Sequence, residues 1–153
     1  MAPPSSSTAA RPSEPQLPHK EPRAFTEAGA AVTLTDIDEN ALTAATKQLT
    51  DAGHRALAVM CDVSDEDQVA AAVDRTVTTF GRLDMAYDNA AVRPPPTEAV
   101  DETADQFDRV QNVNLRGIRA STKHELSHMR TQGSGEPAGV DVVGGRRLAS
   151  WLG

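Results

Sequence analysis

The pentad His124-Glu125-Leu126-Ser127-His128 is the most obvious chemistry-bearing spacing in the chain. On a helix, histidines four residues apart lie one turn apart, so both imidazoles can hold one zinc ion. The glutamate between them then acts as a base toward zinc-bound water. Such a centre needs a third protein ligand. The extended pattern asks for glycine at 131 and histidine at 134, and the chain has Thr131 and Ser134. The only carboxylates further on are Glu136 and Asp141. No metal is therefore expected. The pentad reads as a solvated helix face, and a zinc hydrolase using His124, Glu125 and His128 is the weakest alternative.

A second set of polar residues stands where apolar runs stop. Asp36 follows Ala31-Val32-Thr33-Leu34-Thr35, and Asp62 follows the run from Arg55 to Cys61. Asp88-Asn89-Ala90-Ala91 follows Leu83-Asp84-Met85-Ala86-Tyr87, with Pro94-Pro95-Pro96 just beyond. The last run reads as a buried strand that ends at a loop. In an open α/β sheet, ligands bind outside the carboxyl ends of such strands. Asn114 belongs to a different context. It falls in mid-helix among apolar neighbours, a poor place for asparagine by propensity.

The elements that must position these residues alternate. Ala24–Ala28 reads as the end of a helix with Gly29 as its cap. A strand over 31–36 leads to a helix from Asp38 to Asp51, with Leu42, Ala45 and Leu49 on one face. A strand over 55–61 leads to a helix through Phe80, started by Ser64 with Asp67 three residues on. Its inner face is Val69, Val73, Val77 and Phe80. The strand over 83–87 precedes a long helix, 102–130, and Val140–Val143 reads as a last short strand. Apolar strands alternating with amphipathic helices imply a parallel sheet with helices on both faces.

Composition sets outer bounds. The 153 residues suffice for one domain with a core. The net charge of −7, with no basic run, argues against nucleic acid or an anionic membrane surface as partner. No apolar run approaches a membrane span. One cysteine, Cys61, fits a reducing, cytoplasmic setting and reads as buried packing. Residues 1–22 carry six of the ten prolines and Ser5-Ser6-Ser7-Thr8, which marks a disordered tail. The domain is expected over 23–143, with an irregular tail over 144–153.

Five stretches together resemble the short-chain dehydrogenase/reductase family. They are Glu27-Ala28-Gly29-Ala30-Ala31-Val32, Cys61-Asp62-Val63-Ser64, Phe80-Gly81-Arg82-Leu83-Asp84, Asp88-Asn89-Ala90-Ala91 and Asn112-Val113-Asn114-Leu115-Arg116-Gly117. Their order is similar to that of NAD-type members such as glucose dehydrogenases and oxoacyl reductases. The resemblance implies a Rossmann-type, doubly wound α/β fold. It also implies hydride exchange between NAD and a small alcohol or carbonyl substrate. Asp36 would take the ribose position that selects NAD, and Asp62 with Val63 would flank the adenine. Asn89, Ala90 and Ala91 would line the cofactor floor. Asn114 would be the surviving member of the catalytic tetrad, disturbing its helix to hold a water. The long helix would offer a homodimer face.

Departures from the family pattern are as informative. Its glycine-rich phosphate turn would fall in Pro15-Gln16-Leu17-Pro18-His19, and no glycine precedes Gly29. Its serine and its Tyr-x-x-x-Lys are missing; the one tyrosine, Tyr87, lies in a strand. Asp88 and Ala91 replace an asparagine and a glycine, adding a charge and a methyl where space is tight. The expectation is an incomplete Rossmann-type sheet lacking its first strand and its C-terminal catalytic part, the ends arising from a shifted frame or truncation. Weak or absent NAD binding and no catalysis by this chain alone follow from it. A non-catalytic dimerisation or interaction fragment is the alternative.

Overall fold

Helix α1 (Lys20–Glu27) opens the described part of the chain in the computed structural model, which describes residues 20–94, 96, 98–134 and 136–138. The helix begins three residues inside the expected tail, whose remainder lies outside the described residues. Pro22 sits in its first turn, where no amide partner is needed. Gly29 closes the helix at φ 92°, with its amide donating to the Thr26 carbonyl at 3.0 Å and the Ala30 amide to Phe25 at 3.0 Å. That backbone region suits glycine.

Strand β1 (Val32–Asp36) leads to α2 (Glu39–Asp51), which is started by Asp38. The Asp38 Oδ1 accepts from the amides of Asn40 and Ala41 at 2.9 and 3.0 Å. Asp38→Ala removes both bonds and is expected to cost about 1 kcal/mol. The check is a lower urea midpoint at unchanged slope. Helix α2 buries Leu42, Ala45 and Leu49, the stripe its spacing predicts.

After β2 (Ala56–Met60), α3 (Glu66–Phe80) is capped by Asp65, not by Ser64 as its spacing suggests. Asp65 accepts from the amides of Asp67 and Gln68 at 3.0 and 3.3 Å. Ser64 has a stronger partner: its hydroxyl donates to the Asp62 carboxylate at 2.6 Å. The inward side of α3 is Val69 and Ala72; Val73, Val77 and Phe80 are only half-buried. The Arg55 guanidinium lies over the Phe80 ring, 5.3 Å from its centre.

Strand β3 (Met85–Tyr87) is shorter than the expected 83–87 and is not buried, since Met85 and Tyr87 are 52% and 43% exposed. A 3₁₀ turn (Ala99–Asp101) and α4 (Ala104–Gln111) follow, the latter started by a reciprocal Thr103–Gln106 capping pair. The chain then widens into a π turn (Asn112–Gly117) and continues as α5 (Ile118–Gln132). The expected single helix is thus one rod with a wider turn in its middle. Strand β4 (Glu136–Ala138) completes the described chain. The expected strand at 140–143 lies outside it, as do the tail residues 144–153.

The strands form two parallel pairs, β1–β2 and β3–β4, and no ladder joins the pairs among the described residues. Thr33 stands opposite Leu57 and Asp36 opposite Met60; Met85 stands opposite Glu136. Pro137 supplies no amide, which an edge strand tolerates. The buried centre joins β2, α3 and α5 through Cys61, Val69, Ala72 and Ala120, with Val59 and Val63 packed on it. Burial pushes the Cys61 thiol up, helped by Asp62 and Asp65, so this cysteine packs as an unreactive thiol.

Candidate functional site

Because β1 and β2 run parallel, their carboxyl ends share one edge, and Asp36 and Asp62 both stand there. Each carboxylate uses one oxygen locally. The Asp36 Oδ1 accepts from the Asp38 amide at 2.9 Å. The Asp62 Oδ1 accepts from the Ser64 amide and hydroxyl at 2.9 and 2.6 Å. No described residue bonds the second oxygen of either acid, so each can accept from a bound hydroxyl or amino group. Val63 follows Asp62 and is half-buried. It meets Gly117 closely: a Cβ there would come within 3.0 Å of both the Val63 Cγ2 and its carbonyl. Glycine at 117 is what lets the π turn approach this edge.

Asn89, Ala90 and Ala91 form an exposed loop after β3. Asn114, in the π turn, reaches its far end. The Asn114 Oδ1 accepts from the Val92 amide at 2.8 Å, and its Nδ2 donates to the Val92 carbonyl at 2.8 Å. Gln132 does the same at the near end, accepting from the Leu83 amide at 2.9 Å and donating to its carbonyl at 3.0 Å. The rod from α4 to α5 therefore holds the segment 83–92 at both ends. The spacing of residues singles out Asn114, and Glu125 only as the base of a zinc pentad, but neither Ser121 nor Gln132. The available signal was a polar pair, Ser121 and Glu125, on the stripe that also carries the buried Met129.

Charges divide between two sides of α5. Toward β3, Glu125 is 8% exposed, and burial together with the nearby Asp88 pushes it up to about 7. Burial also raises Asp88. Toward α3, Glu66 is held down to about 2 by its bond from Lys123 at 2.5 Å and by Arg119 at 3.1 Å. His124 and His128 face the same helix, with Nε2 atoms 3.4 Å from Glu66 Oε1 and 2.7 Å from Asp74 Oδ1. The two imidazoles thus face away from Glu125. Among the described residues, no group of three histidine, cysteine or acidic side chains is placed to hold a metal ion.

The acid pair offers paired acceptors at a strand edge to a bound hydroxyl or amino group. A diphosphate is not provided for in the same way. It needs free amides at a glycine turn before a helix, and the first glycine in the chain, Gly29, ends a helix instead.

The family model described as enoyl-(acyl carrier protein) reductase matches residues 22–148. Cis-4-hydroxycyclohexanecarboxylate dehydrogenase of Sinomonas cyclohexanicum is 42% identical over 123 residues, covering 79% of this chain and 48% of the relative. A 3-ketoacyl-ACP reductase from Sinorhizobium meliloti 1021 superposes with a TM-score of 0.72 at 27% identity, over 75% of this chain and 45% of its own. An NAD+-bound xylitol dehydrogenase superposes with a TM-score of 0.69 at 32% identity, over 72% and 43%. The chain therefore spans about half the length of the relatives it matches. Its fold is a partial Rossmann-type one. No helix among the described residues is long and apolar enough to cross a membrane.

Proposed function

Because the chain belongs to the short-chain dehydrogenase/reductase family, we propose that it carries the adenosine half of a dinucleotide site and does not by itself transfer hydride. One observation carries this reading: Asp36 and Asp62 share the carboxyl edge of a parallel strand pair, each with an oxygen unused by the described residues. Asp36 would accept from the ribose hydroxyls and Asp62 from the adenine amino group. Val63 and the Asn89, Ala90, Ala91 loop would line the remaining wall. A carboxylate at Asp36 repels a ribose 2′-phosphate, which favours NAD over NADP. Asn114 keeps its place in the widened helix, but no Tyr-x-x-x-Lys stands anywhere in this sequence to move a proton. On this reading, exchange of an alcohol and a carbonyl on a small substrate is left to full-length relatives, and the chain itself works in a reducing, cytoplasmic setting.

Titration calorimetry tests the binding half. NAD should bind weakly, Asp36→Ala should abolish the signal, and NADP should give none. Sub-micromolar NAD affinity, or equal binding of NADP, would refute the proposal. A second reading has its own support: the α4–α5 rod leaves Phe107, Leu115 and Leu126 exposed by 50%, 64% and 41%. Pairing of two copies through this rod predicts a concentration-dependent mass by light scattering, and a strict monomer would rule it out.

A further inference from the structure

We propose that the cleft between the start of α3 and the π turn binds a small organic anion by its oxyanion head, a carboxylate or a phosphate monoester, through Arg116 and Arg119. The cleft has a volume of about 400 Å³ and is lined by Val63, Ser64, Glu66, Arg116, Arg119 and Ala120. That is room for a compact ligand and not only for a bare ion. Its floor belongs to the buried centre: Ala120 is 2% exposed, and Val63 packs on the same cluster. The turn that carries Arg116 is seated there by Gly117, which meets Val63 so closely that a Cβ would come within 3.0 Å. The two arginines stand three residues apart, so both reach the same side of the rod.

The charge balance favours an anion, although the chain as a whole carries −7. Glu66 is the one acid lining the cleft, and two cations answer it, Lys123 at 2.5 Å and Arg119 at 3.1 Å. Arg119 uses Nη1 for that bond and keeps its other donors. Arg116 is exposed, and among the described residues no acid stands within ion-pair distance of it. The other acids of the loop are turned elsewhere. Asp62 accepts from Ser64, Asp65 accepts from the amides of Asp67 and Gln68, and neither lines the cleft. A planar guanidinium pairs two-pronged with a carboxylate or a phosphate. Two of them above a floor of valine and alanine fit an anionic head on a compact apolar body. The cleft shares only Val63 with the proposed adenosine edge and stands independently of it.

Phenyl phosphate and benzoate present one ring with the two heads, and benzyl alcohol presents it without charge. NMR titration of the full chain follows the amides of Val63, Ser64 and Ala120 and the Nε–H signals of Arg116 and Arg119. Saturable shifts are expected with at least one of the two anions and none with benzyl alcohol; the tighter anion identifies the head. Arg116→Gln should weaken binding about tenfold. Glu66→Gln should strengthen it, because the opposing charge is gone. Lys47→Gln on α2 and Asp36→Ala at the adenosine edge should leave it unchanged. No saturable shift with either anion, binding indifferent to Arg116→Gln, weaker binding in Glu66→Gln, or an equal loss in Lys47→Gln or Asp36→Ala would overturn the proposal.

Discussion

Glutamine in place of Glu125 is expected to stabilise the chain by about 3 kcal/mol at pH 8 and to change little at pH 4. The magnitude follows from the displacement of this carboxyl from 4.5 to about 7 on folding. The direction follows from which state holds the proton. Below 4.5 both states are protonated and no difference exists. Between 4.5 and 7 the unfolded chain releases its proton while the folded chain keeps it, so stability falls as pH rises. Above 7 the loss is complete and the curve levels. Glutamine keeps the shape and carries no charge. The window stands apart from that of Glu66, whose lowered value acts between about 2 and 4.5 in the opposite sense. Urea unfolding across this pH range is the check. Parallel curves for the parent chain and the variant would show that Glu125 is ionised in the fold without penalty.

Asn114→Ala is expected to cost between about 1 and 2 kcal/mol and to loosen the loop over 89–94. Two hydrogen bonds to Val92 are lost, at about 1 kcal/mol each net. Alanine's better helix propensity returns about 0.7 kcal/mol. Asn114→Asp should fall between, because a carboxylate still accepts from the Val92 amide but cannot donate to its carbonyl. Denaturant midpoints rank the three chains. Equal midpoints would mean that the Val92 clamp forms no part of the stable fold.

Local rules made much of this legible. The α2 stripe, the glycine stops at 29, 81 and 133, and the alternation of strand and helix all follow from neighbours in the chain. Asn114 was also visible, because an asparagine in mid-helix needs a reason, and the π turn supplies one. What stayed hidden depends on distant partners. Asp65 displaced Ser64 as a cap only because Asp62 captured the serine hydroxyl. β3 found its partner in Glu136–Ala138, where a proline discourages a strand assignment. Glu125 is buried and feels the charge of Asp88, a residue that no periodicity connects to it, while the histidines of the pentad pair with acids of α3.

On the proposed function, the chain keeps the adenosine edge of a redox scaffold and carries neither a glycine-rich diphosphate turn nor a Tyr-x-x-x-Lys. The most direct measurement incubates the purified 153-residue chain with NAD and secondary alcohols, and with NADH and ketones, following absorbance of the reduced nicotinamide. No turnover above a protein-free control is expected in either direction. Enzyme-dependent hydride transfer by this polypeptide alone, lost on mutating Asp36 or Asn114, would contradict it.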